Sequence, residues 1–283
     1  MSDVAELNPK NRIFAEKDKM EFSGKTFWIT GAASGMGRSV AIEISKSKAR
    51  IIISDRDAGG LEESAIKIRI NGSEAIVVVL DMSDNASIMQ AAAKMLSEVG
   101  KIDGLYQFAG ISQRSLVAET PIENDRKIME INFFGVVALT KAILPSMIAN
   151  GGGQLAVTSS LVGKFGFPYR SAYSASKHAL HGYFESLLAE NTKNNIRVSV
   201  LIPGRIQTNI SKFAIDKDGK EHGKMDAGQA NGITAEKAAK QICRGLRKEK
   251  KEVLVGGKEL LMLYIKRFLP WLYYKMAVNL KPV

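Results

Sequence analysis

Tyr173 and Lys177 stand four positions apart in the stretch Ala-Tyr-Ser-Ala-Ser-Lys-His-Ala. On a helix this spacing places both side chains on one face, a turn apart. A phenol is a poor acid near neutrality, with a reference pKa of about 10. A neighbouring ammonium favours the phenolate, so the pair could exchange a proton with a carbonyl or an alcohol at physiological pH. Helices carry many such pairs by chance, so this interpretation depends on the elements that would position the pair.

A glycine-rich turn, Gly31-Ala32-Ala33-Ser34-Gly35-Met36-Gly37, lies far upstream. The apolar run before it predicts a strand, and residues 38–48 have the apolar spacing of a helix. Between a strand and a helix, such glycines let the backbone approach a pyrophosphate, and the free N–H groups at the helix start supply hydrogen-bond donors. A tight loop without a ligand is the alternative interpretation.

An acidic residue, Asp55, ends the next apolar run, 50–54. About 20 residues after the glycines is where an acid accepts hydrogen bonds from a ribose 2′-hydroxyl. A carboxylate there repels a 2′-phosphate, so the sequence favours NAD(H). Arg56 follows directly, and an arginine near this position can hold a 2′-phosphate, so NADP(H) stays compatible with the sequence.

Taken together, these motifs resemble the main branch of the short-chain dehydrogenase/reductase family, from about Phe22 to about Val255. The family's glycine motif is met by Thr30 with Gly31, Gly35 and Gly37, and its Tyr-x-x-x-Lys motif by Tyr173 and Lys177. The Ser-Ser-Leu-Val-Gly-Lys segment before the tyrosine also resembles the hydroxysteroid-dehydrogenase-like subgroup. A basic residue just before the second motif glycine, common in NADP-preferring relatives, is replaced by Ser34.

The resemblance implies four catalytic residues: Asn132, Ser160, Tyr173 and Lys177. Tyr173 would be the general acid in carbonyl reduction and the general base in alcohol oxidation. Lys177 would lower the pKa of Tyr173 and hold the nicotinamide ribose. Ser160 would donate a hydrogen bond to the substrate oxygen, and Asn132 would hold a water that links Lys177 to solvent.

The cofactor site implied by the resemblance is larger. It comprises Gly31, Ser34, Gly35, Met36, Gly37, Asp55, Arg56, Asp81, Met82, Ala109, Gly110, Tyr173, Lys177, Pro203, Gly204, Ile206 and Thr208. The chain departs from the family at Gln107-Phe108-Ala109-Gly110, where relatives usually carry Asn-Asn-Ala-Gly. The asparagines that tie neighbouring strands together are therefore lost, and Gln107 is the residue that could replace one of their hydrogen bonds.

Near-continuous apolar runs predict strands at 26–30, 50–54, 76–80, 104–109, 154–158, 196–202 and 253–255, alternating with helical stretches. This pattern predicts an α/β protein with a single-domain Rossmann fold: a doubly wound parallel sheet of about seven strands with helices on both faces. We divide the chain into a polar N-terminal extension (1–21), the Rossmann-fold domain (22–257) with a substrate lid (205–232), and an apolar and basic C-terminal tail (258–283).

The net charge of +11 calls for an explanation. No nucleic-acid recognition motif accompanies the basic residues, so we expect no nucleic-acid partner and interpret most of them as a solvated face. The longest uninterrupted apolar run of the tail is far shorter than the ~20 residues that a helix needs to span a bilayer. Its Trp, Tyr and basic residues suit weak contact with a membrane surface, and equally suit docking over the substrate cleft or against another subunit.

The remaining composition excludes several classes of protein. A single cysteine, Cys243, rules out an intrachain disulfide, and the three scattered histidines predict no metal site. Residues 1–21 contain neither a secretory apolar region nor a membrane span, so we expect a cytoplasmic location. By resemblance, the protein forms a homodimer or a homotetramer.

The sequence thus predicts an NAD(P)-dependent oxidoreductase, a short-chain dehydrogenase/reductase that interconverts a carbonyl and a secondary alcohol by hydride transfer. Apolar residues between the serine and the tyrosine, where relatives build the pocket wall, favour a lipid-like, steroid-like or alicyclic substrate; they are Leu161, Val162, Phe165, Phe167 and Tyr169. One alternative is a dinucleotide-binding homologue with a regulatory or scaffolding role, which would need none of the four catalytic residues. The other is an NAD-using epimerase or dehydratase.

Overall fold

The structure is a computed structural model that describes residues 20–278. Most of the predicted N-terminal extension and the last five residues of the tail lie outside the described residues. The strands are β1 (Thr26–Thr30), β2 (Arg50–Asp55), β3 (Ala75–Val79), β4 (Gly104–Gln107), β5 (Gly153–Thr158), β6 (Ile196–Pro203), β7 (Ile206–Gln207), β8 (Ile233–Thr234) and β9 (Glu252–Val255). The helices are α1 (Gly35–Ser45), α2 (Ala58–Ile70), α3 (Asn85–Val99), α4 (Ile122–Met129), α5 (Gly135–Ala149), α6 (Ser171–Asn191), α7 (Ala227–Ala230), α8 (Ala235–Arg247), α9 (Leu261–Phe268) and α10 (Pro270–Ala277).

Seven strands form one sheet in the order β3-β2-β1-β4-β5-β6-β9, and every neighbouring pair is parallel. The chain leaves β1 toward β2 on one side and enters β4 on the other, so a crevice opens at the carboxyl ends of β1 and β4. In doubly wound sheets, ligands bind in this crevice. The predicted fold class is therefore confirmed.

Helices cover both faces of the sheet, and the strands alternate between two apolar layers. In β2, Ile51 and Ile53 pack into the layer that holds α1, α2 and α8, whereas Ile52 packs into the layer that holds α3, α5 and α6. All three are fully buried. A strand buried on both faces reads as a continuous apolar run, which explains why the sequence located these strands well.

The predicted strand 104–109 is shorter in the structure. β4 ends at Gln107; the N–H of Phe108 still donates to the Thr30 carbonyl (3.2 Å), whereas that of Ala109 donates to the Thr30 side chain, at Oγ1 (3.2 Å). The chain thereby leaves the sheet at the edge of the crevice.

Helices α4 and α5 join into one continuous helical stretch, Ile122–Ala149, through a π-helical turn at Glu130–Phe134. Within residues 20–278, this is the stretch that is long and apolar enough to cross a membrane by length and composition alone. About half of it is buried, with α5 packed against α3 and the π-helical turn against α6. That is the burial expected of a core helix in a globular domain.

The described part of the tail forms a short helical hairpin, α9–α10, which docks on the loop before α6. Tyr273 is buried there, with its ring centroid 5.2 Å from that of Phe165, and its hydroxyl donates a hydrogen bond to the Gly166 carbonyl. The outer face of the hairpin exposes large apolar side chains: Leu261, Tyr264, Phe268, Leu269, Trp271 and Tyr274.

Candidate active site

The glycine turn brings β1, β4 and α1 into close contact. Gly31 has φ +67°, and a Cβ added to it would lie 2.6 Å from the Ala109 amide nitrogen. A Cβ on Gly37 would lie 2.2 Å from the Gly31 carbonyl oxygen. Neither position tolerates a side chain without a shift of backbone.

The start of α1 is suited to an anion. Ser34 precedes the helix but makes no side-chain cap, and the first turn contains no acidic residue. The first N–H groups of a helix have no intrahelical acceptor and carry partial positive charge, so these donors remain available to a phosphate group. The turn therefore fits the pyrophosphate of a dinucleotide.

A cleft of about 310 Å³ opens at the carboxyl edge of the sheet. Twelve of the predicted cofactor residues line it: Gly31, Ser34, Gly35, Met36, Gly37, Asp55, Arg56, Asp81, Met82, Ala109, Gly110 and Thr208. The cleft is also lined by eleven residues outside the predicted cofactor set: Thr30, Ala33, Ser54, Asp57, Leu80, Phe108, Ile111, Ile131, Asn209, Ile210 and Phe213. Most of these residues adjoin a predicted strand end or a motif residue, which is the signal that could have found them.

The other five predicted cofactor residues do not line this cleft: Pro203, Gly204, Ile206, Tyr173 and Lys177. Ile206 is buried in the apolar layer under α8. Gly204 faces the tail instead: a Cβ on it would lie 2.4 Å from Glu259 Oε1. The same carboxylate accepts hydrogen bonds from the backbone N–H groups of Arg205 (2.9 Å) and Gly257 (3.0 Å). The first residues of the tail thus hold the turn after β6.

Two carboxylates frame the far end of the cleft. Asp55 accepts hydrogen bonds from the backbone N–H groups of Ala33 and Asp57, each at 3.2 Å. The backbone N–H of Ser83 lowers the pKa of Asp81, and the Arg56 guanidinium contributes in the same direction. Both carboxylates therefore face the group that binds there, and Arg56, which is exposed, lines the same cleft.

Arg38, at the start of α1, is committed to the protein itself. Its guanidinium forms an ion pair with Glu63 (3.0 Å) and donates to the Gly60 carbonyl (3.0 Å) on α2. It also donates to the carbonyl of Ala33 in the glycine turn, so its hydrogen bonds hold this turn and α2 together.

The predicted catalytic residues converge from three elements. Tyr173 and Lys177 lie on α6, Ser160 follows β5, and Asn132 lies in the π-helical turn. The Lys177 ammonium donates to the Thr158 carbonyl (2.8 Å) and lies 5.7 Å from the centroid of the Tyr173 ring. Both residues are buried: Lys177 is 4% exposed and Tyr173 is 8% exposed.

Asn132 fixes the loop that follows β4. Its Oδ1 accepts from the backbone N–H of Ile111 (2.8 Å), and its Nδ2 donates to the Ile111 carbonyl (2.9 Å) and to Ser176 Oγ (3.1 Å). A Cβ on Gly110 would lie 3.0 Å from Asn132 Oδ1 and 3.4 Å from Lys177 Nζ. Because Gly110 lines the cleft, these two catalytic candidates directly adjoin the dinucleotide side.

The two serines after β5 have different surroundings. Ser159 is fully buried: its hydroxyl donates to the Lys177 carbonyl (3.0 Å) and pairs with His181 Nε2 (2.9 Å). Ser160 Oγ accepts a hydrogen bond from the backbone N–H of Val162 (3.3 Å), and Ser160 is the serine that lowers the pKa of Tyr173. Ser160 is therefore the better placed of the two to contact the substrate oxygen.

The proton affinity of Tyr173 differs from the expectation. Burial raises the pKa of Tyr173, while Arg170, the hydrogen bond from Ser160 and Arg114 lower it. Burial also lowers the pKa of Lys177 to about 8. The expected lowering of the Tyr173 pKa by Lys177 is thus not found in the free protein, where the cations that act on the phenol are Arg170 and Arg114. Sequence reasoning missed both arginines, although Arg170 stands just before the helix that carries Tyr173.

Gln107 replaces a family asparagine by a different contact. Its Nε2 donates to Thr140 Oγ1 (2.8 Å) on α5, so it ties the strand to a helix rather than to a neighbouring strand. Its Oε1 is buried without a hydrogen-bond partner. The backbone at Ala109 and Gly110 nevertheless reaches the cleft.

The fold also gathers a group that the spacing of the histidines did not reveal. His181, Glu185 and Glu252 have potential ligand atoms within 4.8 Å of one another, because β9 brings Glu252 to α6. The Lys164 ammonium already forms an ion pair with Glu252. Burial, together with Lys164, lowers the pKa of His181 to about 4. The absence of a metal site remains a prediction.

Comparison with known proteins places the chain among relatives along most of its length. It is 39% identical over 256 residues to dehydrogenase/reductase SDR family member 7B of Mus musculus, covering 89% of this chain and 79% of the relative. It is 36% identical over 287 residues to dehydrogenase/reductase SDR family protein 7-like of Drosophila melanogaster, covering 98% and 88%.

Solved structures share the fold. A short chain dehydrogenase/reductase from Burkholderia phymatum in complex with NAD matches with a TM-score of 0.78 and 22% identity, over 93% of this chain and 98% of that one. An alcohol dehydrogenase from Thermococcus sibiricus complexed with 5-hydroxy-NADP matches with a TM-score of 0.72 and 25% identity, over 83% and 97%. A family model described as short chain dehydrogenase matches residues 25–219. With its fold, its glycine turn and this match over more than half its length, the chain belongs to the short-chain dehydrogenase/reductase family of oxidoreductases.

Proposed function

We propose that this protein is an NAD(P)-dependent oxidoreductase that interconverts a carbonyl compound and a secondary alcohol by hydride transfer. One observation carries the proposal: Lys177 and Asn132 adjoin Gly110 in the lining of a cleft shaped for a dinucleotide, and the Tyr173 ring lies 5.7 Å from the Lys177 ammonium, with Ser160 acting on its phenol. A protein that only binds a dinucleotide would need the cleft but none of these four side chains.

Each residue has a role that its surroundings support. Tyr173 gives its proton to the carbonyl oxygen in reduction and takes the hydroxyl proton in oxidation. Ser160 donates to the same oxygen and stabilises the charge that develops on it. Lys177, with a pKa of about 8, is mostly protonated at neutral pH and places a positive charge within a turn of the phenol. When bound, the nicotinamide supplies or accepts the hydride.

The decisive test is a fluorescence titration with NADH and, in parallel, NADPH, followed by a screen of carbonyls and alcohols with the cofactor that binds more tightly. We expect saturable binding and turnover of at least one substrate pair. If neither dinucleotide binds, the proposal fails. If the cofactor binds and Tyr173→Phe loses no activity in any reaction found, the function is not that of a tyrosine-dependent oxidoreductase.

We propose NAD(H) as the preferred cofactor. Asp55 presents its carboxylate to the cleft and Asp81 adds a second negative charge, and both disfavour a 2′-phosphate. Arg38, the basic residue at the start of α1, is engaged with α2 and does not oppose them.

For the substrate we propose an apolar carbonyl or alcohol, and the structure changes the basis for this proposal. Of the five residues predicted to form the pocket wall, Leu161, Val162 and Phe165 are buried in the core, whereas Phe167 is half-buried and Tyr169 is 38% exposed. Further support comes from Ile210 and Phe213, which line the cleft from the predicted lid. Ketones of increasing chain length are expected to show rising kcat/KM; values that fall with chain length would contradict an apolar substrate.

The exposed face of the α9–α10 hairpin supports the proposal of weak contact with an anionic membrane surface. Trp271 and Phe268 are 66% and 72% exposed, and Lys266 and Arg267 stand next to them. We expect cosedimentation with vesicles containing phosphatidylglycerol, reduced in a Phe268→Ser, Trp271→Ser double variant. The matched control is Ile70→Ser, which removes an equally exposed apolar side chain from α2. Equal sedimentation of the double variant and the control would contradict membrane contact.

Assembly into a homodimer or homotetramer and a cytoplasmic location stay predictions. Analytical ultracentrifugation at micromolar concentration tests the first, and a stable monomer would contradict it. Fractionation of the source cells tests the second.

A further inference from the structure

A buried ionic cluster includes the residue that directly precedes α6, three positions before the proposed proton donor Tyr173. Arg114 and Asp226 form a two-pronged ion pair, with Nε–Oδ1 at 3.2 Å and Nη2–Oδ2 at 2.6 Å. Arg170 donates from Nη2 to the same Oδ2 at 2.7 Å. The side chains of Arg114 and Asp226 are each only 3% exposed, and that of Arg170 is 19% exposed. We call these three residues the Arg–Asp cluster.

The Arg–Asp cluster joins three segments of the chain. Arg114 belongs to the loop after β4, Arg170 immediately precedes α6, and Asp226 belongs to the predicted lid. Two neighbouring contacts reinforce these junctions. The backbone N–H of Arg114 donates to the Ile215 carbonyl of the lid (2.8 Å), and Gln113 Oε1 accepts from the backbone N–H of Ala172 in the first turn of α6 (2.9 Å). The lid and the start of the helix that carries Tyr173 are therefore held to one loop.

The charges of the Arg–Asp cluster do not cancel. Two guanidiniums share one carboxylate, which leaves one positive charge in excess beside α6. Burial and Arg114 lower the pKa of Arg170 to about 10, so the guanidinium remains protonated at neutral pH. A fixed cation near a phenol stabilises the phenolate and opposes the effect of burial, and the structure has both arginines acting on Tyr173 in this direction.

We propose that Arg170 is a positioning residue for proton transfer, held against the start of α6 by Asp226 of the lid and by Arg114. This proposal rests on the proposed function, because Arg170 can assist proton transfer only if Tyr173 is the proton donor. Arg170 keeps the phenol able to ionise in a buried site. Because Asp226 belongs to the lid and binds Arg170, the effect of Arg170 on Tyr173 depends on the lid being docked on the reaction side of the cleft.

The first experiment compares Arg170→Gln with Arg170→Lys by following the titration of Tyr173 through the ¹³Cζ resonance of labelled tyrosine. Tyr173→Phe assigns the resonance, and Arg69→Gln, which removes an exposed cation on α2, is the control. Loss of the charge in Arg170→Gln should move the titration of Tyr173 up by about one pH unit, whereas Arg170→Lys and Arg69→Gln should stay near the wild type. Equal midpoints for Arg170→Gln and Arg170→Lys would overturn the proposal.

This measurement needs no turnover, so it separates the two proposals. A shifted midpoint in a protein that catalyses no carbonyl–alcohol reaction would overturn the proposed function and leave the electrostatic coupling standing. Where activity is found, the pH profile of kcat/KM for alcohol oxidation should move with the NMR midpoint. If Arg170→Gln fails to fold, Arg114→Gln measures the charge effect on the same phenol.

The second experiment tests the tie to the lid. Lys212, Lys217, Lys220 and Lys224 make the lid a substrate for trypsin. Asp226→Asn removes the charge that holds both arginines and should speed cleavage at these lysines several-fold, while Glu221→Gln, an exposed acid in the same lid, should not. Identical cleavage rates in the two variants would overturn the role of Asp226.

Discussion

The two sides of the cleft are built by different means. On the dinucleotide side, Gly31 and Gly37 leave room for close backbone approaches, and the start of α1 offers its N–H groups. On the reaction side, buried ionisable side chains matter most: burial lowers the pKa of Lys177, and the two arginines of the Arg–Asp cluster oppose the effect of burial on Tyr173. We therefore expect one added methyl group to disturb cofactor binding on the dinucleotide side, and one removed charge to disturb proton transfer on the reaction side.

The largest effect is expected from Tyr173→Phe, which removes only the hydroxyl on the reaction side. Loss of the proton donor should reduce kcat by about 10²–10⁴-fold. NADH affinity should change little, because Tyr173 is not among the residues that line the dinucleotide cleft. Steady-state kinetics and fluorescence titration on the same preparation check both parts; a parallel loss of NADH affinity would mean that the two sides are not separable.

Gly37→Ala makes the complementary change on the dinucleotide side. The added methyl group would meet the Gly31 carbonyl oxygen at 2.2 Å, so α1 or the turn must move. We expect NADH binding to be lost and the free energy of unfolding to fall by about 1–3 kcal/mol. The matched control is Gly182→Ala on α6, where a Cβ meets nothing within 4 Å; there alanine should stabilise the protein by about 0.5–1 kcal/mol. Unchanged NADH binding in Gly37→Ala would contradict the close approach.

Lys177 should make stability depend on pH in a direction set by its burial. Its pKa falls from 10.5 to about 8 on folding, so between these values the unfolded chain binds the proton and the folded protein does not. The contribution of Lys177 to the free energy of unfolding therefore rises with pH, by about 3 kcal/mol from pH 8 to pH 10.5. Lys177→Met lacks this dependence. Urea unfolding of both proteins at a series of pH values should show the free energy of unfolding of the wild type rising relative to that of Lys177→Met. If the two free energies change with pH in parallel, the Lys177 ammonium is not destabilised by burial.

Asp55→Ala is expected to have the smallest functional effect. Loss of the hydrogen bonds from the ribose diol should weaken NADH binding by about tenfold, and removal of the carboxylate should leave NADPH binding equal or tighter. Parallel fluorescence titrations give the ratio of the two dissociation constants. If that ratio does not move, Asp55 is not the selector, and Arg56 becomes the residue to test.

The sequence predicted one side of the cleft better than the other, for a physical reason. The glycine turn and Asp55 are local signals, because a strand end, a tight turn and a helix start are neighbours in the chain. The Arg–Asp cluster joins Arg114 to Asp226 across the fold, and no pattern in either segment indicates the partner. The same holds for Tyr273 against Phe165, and for Glu252 beside His181.

The pKa of Tyr173 shows where motif reasoning ends. The Tyr-x-x-x-Lys spacing located both side chains correctly on one helix, but the balance between burial and charge depends on everything packed around them. Burial raises the pKa of the phenol and lowers that of the ammonium, and the compensating cations come from other segments. A motif specifies which groups meet; only the fold specifies their proton affinities.

The π-helical turn around Asn132 has a consequence for how this site tolerates change in chain length. A π-turn accommodates one residue more than the regular i to i−4 ladder, so the helix carries a surplus residue at this point. Deleting Ile131 would let α4 continue into α5 as a regular α-helix without the π-helical turn. The segment before the deletion would then turn by about 100° relative to the segment after it. The helix would be more regular, but the side-chain amide of Asn132 would no longer be aligned with the backbone of Ile111. Family members that differ here by one residue should keep the fold and lose the reaction.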